Sequence, residues 1–384
     1  MKNKKQTAVV VIPTYNEAGH TAKMIDHLIT KTFPKIKNWR MILFYADGNS
    51  PDGTANIIKE KQKKYKNLEL LIETKKEGIG AAYVKAFKYA IKKFKADVVI
   101  EFDSDFQHPP KDIPVMLKKI DQGYDYVLGS RKIEGGSNPK GWGFKRLFFS
   151  EAGGFVARMI LFFPTKHFFQ ITDPTTGFKA SRVKGFVDAM DMDHLYTKSF
   201  GYKLEFLYKM IKLGAKTVEI PLQFGLRETG ESKIEPQTAK EIFRTVFLLR
   251  LNDSSTQKFL KFGTVGFVGY LVNAIGLSLV FAASQSELLS WLVSTELAIV
   301  SNFTLNNLWT FKSDKISGFN KLFGKFLQFN FTSLGALLIQ TVAGVSLVRL
   351  TGLNRQILLP FIIVFLVLPY NWVMYNTFIW KKNN

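Results

Sequence analysis

The feature that most constrains this chain is a break in composition near residue 258. Before it, short apolar runs alternate with Lys-rich stretches; after it come long apolar blocks with few charges. Four blocks, about 260–283, 288–311, 326–348 and 357–379, have the length of roughly 20 apolar residues that a helix needs to cross a bilayer. A soluble helix keeps a polar face for water, and these segments lack one. The expectation is an all-α, four-helix transmembrane domain over 258–384, with an amphipathic interface helix and linker over 236–257.

Positive charge orients the bundle. The link between the second and third blocks carries Lys312, Lys315, Lys321 and Lys325, and the C-terminus carries Lys381 and Lys382. The first link, SQSE, has no Lys or Arg, so both termini and the middle loop are expected on the cytoplasmic side. Arg349 and Arg355 in the last link are the small count against this. Glu296 is the one carboxylate well inside a block. It is either a packing residue satisfied within the bundle or a contact to a lipid headgroup or polar path.

Net charge is +22, which invites three readings. No helix-turn-helix, zinc or RNP-type pattern supports nucleic acid as the partner. Stretches such as 59–66 read as a solvated basic surface. Attraction to an anionic cytoplasmic leaflet, about 1 kcal/mol per nearby cation, is favoured by the membrane blocks in the same chain. The absence of cysteine excludes disulfides and thiolate metal sites and fits a reducing compartment. The apolar run after the basic N-terminus is short and leads into Pro13, so it reads as a strand and not a signal peptide.

The first 235 residues read as an α/β domain. The Val-rich run at 8–13 suits a strand buried on both faces. Strands are expected at 41–45, 68–72, 98–102 and 126–128, and helices near 17–30, 55–64 and 78–94. Alternation of this kind predicts a doubly wound, Rossmann-like sheet, with ligands at the carboxyl ends of the strands. The Phe-rich stretch 141–163, with Lys145, Arg146 and Arg158, reads as an amphipathic helix in the bilayer interface, a core helix being the alternative. The stretch 238–251 reads similarly.

The strongest local signal is EFDSDFQHPP, 101–110. A strand delivers Asp103 and Asp105 to its end, two residues apart. A hard divalent cation, Mg²⁺ or Mn²⁺, takes one or two protein carboxylates plus substrate phosphate oxygens, and Gln107 can add or orient a ligand. A solvated acidic turn is the alternative for so short a pattern. His108, before two prolines, is read as shaping the turn. In IPTYNE, 12–17, Pro13 fixes a turn, Tyr15 can stack on a base and Glu17 can accept from a ribose or base; Asn16 as a helix cap is the plainer reading. In DGNSPDGT, 47–54, Asp47 follows the second strand, while Asp52 and Thr54 read as caps. KKEGIGAA, 75–82, is a glycine-rich helix start, either a phosphate approach or a tight loop. Arg131, after the fifth strand, suits an anion clamp. Arg227, Ser232 and Lys233 lie in FGLRETGESK just before the membrane part, suited to a lipid phosphate or a donor diphosphate.

These motifs, in this order over about 225 residues, resemble the family 2 glycosyltransferases with the GT-A fold, and most closely the dolichol-phosphate mannosyltransferases. The segments KFGTVGFVGYLVN and NFTLNNLWTF resemble the first and second helices of the GtrA-like membrane domain. The resemblance implies that Pro13, Tyr15 and Glu17 contact the nucleoside and that Asp47 helps hold the base or ribose. It implies a metal and diphosphate site from Asp103, Ser104, Asp105 and Gln107. Arg131, Arg227 and Lys233 would bind donor or acceptor phosphate, with Ser232 on the acceptor side, and Asp105, Arg131 and Arg227 would be catalytic. The expected reaction is inverting transfer of mannose from GDP-mannose to a polyprenyl phosphate. Gly48 stands where the family usually has a second acidic residue, which opens UDP-glucose as an alternative donor. A lipid-linked-sugar flippase or scaffold is the rival from another class. A processive polysaccharide synthase would need a Q-x-x-R-W type motif, which is not found.

Overall fold

The computed structural model describes residues 5–139, 141–226, 236–353 and 355–380. The chain divides into two compact units, Met1–Arg250 and Leu251–Asn384. The division falls within the stretch 236–257, expected as an amphipathic interface helix and linker.

The first unit is built on a seven-stranded sheet in the order β3-β2-β1-β4-β6-β5-β7. β1 (Gln6–Thr14) is an interior strand, paired in parallel with β2 (Trp39–Asp47) and β4 (Val98–Glu101). β3 (Leu68–Ile72) runs parallel to β2, and β5 (Tyr126–Ser130) parallel to β7 (Thr217–Pro221). The Val run of β1 serves two cores at once. Val9 and Val11 face one apolar cluster, while Ala8, Val10 and Ile12 face the other. Strand burial on both faces is why the run is continuous rather than alternating.

β6 (Lys179–Arg182) departs from the expected all-parallel pattern. It runs antiparallel to both β4 and β5, so the sheet is mixed. The register places Lys179 opposite both Glu101 and Leu128.

Helices cover both faces. α1 (Ala18–His27), α2 (Thr54–Lys64) and α4 (Ile113–Asp121) close one core with Met24, Ile25, Ile58, Met116 and Ile120. α3 (Ile79–Tyr89) and α7 (Tyr202–Lys212) close the other, through Tyr83, Phe87, Tyr202 and Phe206. α5 (Phe144–Phe162) sends only its C-terminal end into that core, by Ala157, Leu161 and Phe162. Its N-terminal part exposes Phe144, Phe148, Phe149 and Phe155, and Phe169 in α6 (His167–Gln170) is exposed beside it in sequence. The helix therefore packs at its C-terminal end and exposes apolar rings toward its N-terminal end. α8 (Pro236–Leu251) adds Val246 and Leu249 to the core while exposing Phe243 and Phe247.

The second unit is helical. α9 (Ser254–Ser284) and α10 (Glu287–Leu305) form an antiparallel hairpin, capped by Asp253 and Ser286. Small residues let them approach: a Cβ at Gly276 would stand 3.1 Å from Ser294 Cβ. α11 (Phe319–Thr351) follows, then α12 (Arg355–Ile362) and α13 (Leu368–Met374) along the last apolar block. Ser254–Ser284 and Pro360–Ile379 are long and apolar enough to cross a membrane. Phe311 stacks on Trp380 at 4.4 Å, and Asn307 Oδ1 accepts from Trp380 Nε1 at 3.0 Å and from Ile316 N at 2.8 Å. Glu296 is exposed on α10, so the reading of it as a residue buried within the bundle is corrected.

Candidate active site

Because β1, β2, β4 and β5 run in one direction, their carboxyl ends meet along one edge. The four polar loops that follow them are brought there together.

The turn after β4 is fixed by its own main chain. Phe102 N donates to Val11 O at 3.1 Å, which seats the turn against β1. Phe106 adopts φ +62°, tightening the turn so that Gln107 N donates to Asp105 Oδ1 at 3.1 Å. Gln107 is held in turn: its Nε2 donates to Gly225 O at 3.2 Å. His108 is fully buried, stacked on Phe178 at 5.2 Å, and its Nδ1 accepts from Asp103 N at 3.2 Å. Burial lowers the pKa of this imidazole, against the pull of Asp103, so it is neutral at pH 7. With Nδ1 accepting, the proton sits on Nε2, 3.6 Å from Asp103 Oδ2. His108 thus shapes the turn from beneath. Ser104 and Asp105 are buried, while the Asp103 side chain keeps 28% exposure.

Behind this turn lie charges that the sequence reading missed. Glu101 is completely buried, and neither of its carboxylate oxygens has a hydrogen-bond partner among the described residues. Burial raises its pKa, against the charges of Lys179 and Lys203. Lys179, its cross-strand neighbour, is equally buried and donates to Lys203 O at 2.6 Å. Burial lowers its ammonium pKa to about 8. A signal was present: Glu101 ends an otherwise apolar strand, and a buried charge in a strand marks a site that needs it.

The loops after β1 and β2 are tied to one another. Asp47 has no exposed surface; its Oδ2 accepts from Thr14 Oγ1 at 2.9 Å and from Ser50 Oγ at 2.7 Å, and its Oδ1 from Ser50 N at 2.8 Å. The carboxylate expected to help hold the base or ribose thus makes its hydrogen bonds within the two loops. Asp52 accepts from Thr54 N at 3.0 Å, at the start of the helix it is expected to cap, and from Ala18 N at 3.0 Å, at the start of α1. Asn16 takes φ +56° and Glu17 occupies the cap position of α1, so the capping role expected of Asn16 is not made. Asn16 N donates to Ser50 Oγ at 3.0 Å and Glu17 N to Thr54 Oγ1 at 3.1 Å. Pro13 is half-buried at the end of β1. Lys76 lies 4.2 Å over the Tyr15 ring, and a Cβ at Gly48 would touch that ring at 3.4 Å. In the glycine-rich start of α3, a Cβ at Gly80 would meet Tyr202 Cβ at 2.6 Å, so this glycine serves helix packing.

Arg131, expected as an anion clamp, is gripped by Asp173. Its Nε donates to Asp173 Oδ2 at 2.6 Å and its Nη2 to Asp173 Oδ1 at 2.8 Å and Thr175 Oγ1 at 3.0 Å. The two side chains are 9% and 1% exposed. Burial pushes the Asp173 carboxyl up, but the hydrogen bonds and charge of Arg131 outweigh it and hold the pKa below the ordinary value. Beside the pair is a cavity of about 340 Å³, lined by Lys132, Ser150, Glu151, Phe155, Arg158 and Asp173 among others. It lies between α5 and the Asp173 loop. Arg227, Ser232 and Lys233 fall outside the described residues.

Residues 9–186 match the family model "Glycosyl transferase family 2", and 261–380 match "GtrA/DPMS, transmembrane domain". The chain is 30% identical over 335 residues to a dolichol-phosphate mannosyltransferase of Pyrococcus furiosus, covering 87% of this chain and 88% of the relative. It is 30% identical to an undecaprenyl-phosphate mannosyltransferase of Micrococcus luteus, over 59% of this chain and 86% of the relative. Among solved structures, mannosyl-3-phosphoglycerate synthase from Rubrobacter xylanophilus aligns with a TM-score of 0.46 at 17% identity, over 65% of this chain and 76% of that one. The two matched modules and the near full-length likeness to the archaeal enzyme establish that this chain is a glycosyltransferase of family 2, belonging with the dolichol-phosphate mannosyltransferases that carry a GtrA/DPMS transmembrane domain.

Proposed function

We propose that the protein transfers mannose from GDP-mannose to a polyprenyl phosphate at the cytoplasmic face of a membrane, with inversion at the anomeric carbon. The observation that carries this reading is the rigid turn Asp103–Gln107, which presents two carboxylates at the sheet edge where the loops after β1, β2 and β5 also end. Both carboxylates are oxygen donors. Two carboxylates on one turn suit a hard divalent cation whose remaining ligands are substrate phosphate oxygens. Asp103, Asp105 and Gln107 would hold Mg²⁺ or Mn²⁺, which when bound neutralises charge on the departing diphosphate.

The remaining chemistry asks little of the protein. A lipid monophosphate is already an anion at pH 7, its second pKa being about 6, so its attack needs no general base. The chain has to orient it in line with the leaving diphosphate. The cavity beside α5, with Lys132 and Arg158 in its wall, suits that acceptor phosphate. The exposed phenylalanines of α5 suit the membrane surface from which it comes. On this reading Tyr15 and Glu17 would contact the nucleoside, and Arg227, Ser232 and Lys233, which lie outside the described residues, would bind donor or acceptor phosphate. The lysines of the loop between α10 and α11 support the cytoplasmic orientation.

Gly48, standing where the family usually carries a second acidic residue, supports a second reading, in which the donor is UDP-glucose. A donor screen decides. The full chain in membranes is given radiolabelled GDP-mannose, UDP-glucose or UDP-N-acetylglucosamine, with polyprenyl phosphate and Mn²⁺ or Mg²⁺. Labelled lipid is expected from GDP-mannose alone. Glucolipid in its place would overturn the donor, and no glycolipid from any of the three would overturn the reading.

A further inference from the structure

One cation in the first unit has no role in the site described above. Lys203 stands in the first turn of α7, and its side chain is 7% exposed. Among the described residues its ammonium makes no hydrogen bond and no ion pair; the contact it has is the Phe200 ring, 5.5 Å away. Burial of a charge without a hydrogen-bonded partner is costly, so such a group is retained where something else meets it. Its surroundings show where it points. The ammonium occupies the space that a side chain at Gly177 would fill, in the loop that carries Asp173 to β6. The same point lies 3.3 Å from His108 Cε1, and His108 is the ring under Asp103. A glycine at 177 therefore opens a slot through which Lys203 reaches the flank of the Asp103 turn.

Other groups nearby do not satisfy it. Glu101 is the carboxylate within electrostatic range, but its oxygens carry no hydrogen bond, and Lys179 is spent on the Lys203 carbonyl. His108 is neutral and Arg131 is paired with Asp173. The ammonium thus remains directed at a site in which, on the function proposed above, a diphosphate leaves and a monophosphate attacks.

We propose that Lys203 is a phosphate-contacting residue of the transfer site, its ammonium admitted past Gly177 to meet an oxyanion of one of the two phosphate substrates. Both sources present the same chemistry, an oxygen of a phosphate that accepts a charge-assisted hydrogen bond.

The test uses the full chain and three variants. Lys203→Met keeps the apolar stem and removes the charge. Gly177→Ala leaves Lys203 intact but fills the slot; the group displaced is the end of a flexible side chain, so the fold is expected to hold. The third variant combines them. KM is measured for the nucleotide sugar at saturating lipid phosphate, and for the lipid phosphate at saturating nucleotide sugar. Binding of the nucleoside diphosphate product is measured directly by calorimetry, and thermal unfolding is followed alongside. Each single variant is expected to raise KM for one phosphate substrate, or lower kcat, by roughly 10- to 100-fold, the size of a lost charged hydrogen bond. The double variant is expected to be no worse than either single one, since both remove the same contact. A rise confined to the nucleotide sugar, with weaker product binding, assigns the contact to the donor; a rise confined to the lipid assigns it to the acceptor. Wild-type kinetics in a folded Lys203→Met protein would overturn the proposal, as would activity lost only in proportion to folded protein. Wild-type chain that transfers no sugar to lipid would instead overturn the function on which the proposal rests.

Discussion

Two acidic loops end strands that flank β1 in one sheet and use their carboxylates differently. After β2, Asp47 is the builder. It is buried, takes hydrogen bonds from Thr14 and Ser50, and thereby ties the β1 and β2 loops together. After β4, the main chain is the builder. His108, Phe102 and Gln107 fix the turn, and Asp103 and Asp105 are oriented by it. In the first case the carboxylate is fully buried and ties two loops together; in the second the carboxylates sit on one turn, where Asp105 accepts from Gln107 N and Asp103 keeps part of its surface exposed. An acidic residue at a strand end is therefore not evidence of ligation until its own hydrogen bonds are counted.

The comparison can be broken at several points. Asp105→Asn carries the largest expected effect, a loss of about 10²–10³-fold in sugar transfer with an unchanged circular dichroism spectrum and melting temperature. Full transfer by that variant would remove the β4 turn from the chemistry. Arg131→Met comes next. It leaves the Asp173 carboxylate buried without its partner, so the first unit is expected to lose about 3–5 kcal/mol, read by denaturant unfolding. A stable Arg131→Met protein with weakened phosphate binding would show that the arginine leaves Asp173 for substrate. Asp47→Asn is expected to cost about 1–2 kcal/mol in stability and to change the donor KM less than threefold. A tenfold rise in donor KM at unchanged stability would return Asp47 to the nucleoside site and erase the contrast. The smallest effect concerns pH. The folded pKa of Asp173 is held below its unfolded value, so its stabilising contribution is fully present above the ordinary carboxylate pKa near 4. It fades as pH falls through the lowered folded value. Acid unfolding of wild type should therefore show a contribution at low pH that Asp173→Asn lacks.

Much of this was legible in the sequence. The expected strand at 41–45 lies within Trp39–Asp47, and 68–72 coincides with Leu68–Ile72, because buried parallel strands write themselves as apolar runs. The apolar block 260–283 lies within the helix Ser254–Ser284, which is long and apolar enough to cross a membrane. What escaped were pairings across long sequence separations. β6, sequence KASR, has no apolar period, since Lys179 is buried against Glu101 rather than against hydrocarbon. The partner of Arg131 lies 42 residues away, so a paired arginine and a waiting one look alike in sequence. Lys203 sits in an ordinary amphipathic helix, and only the slot at Gly177 distinguishes it.

The reversed direction of β6 has one more consequence. β5 leaves the sheet at the carboxyl edge, and β6, being antiparallel, begins at that same edge. The excursion between them, 131–178, is thus a flap hinged at both ends on the reaction edge, and it contains all of α5 with its outward phenylalanines. A parallel strand in this place would have required the chain to return at the far side of the sheet. One antiparallel strand of four residues thereby ties the exposed phenylalanines of α5 to the edge that carries the Asp103 turn, an arrangement that, on the function proposed above, would shorten the path of a lipid headgroup to the transfer site.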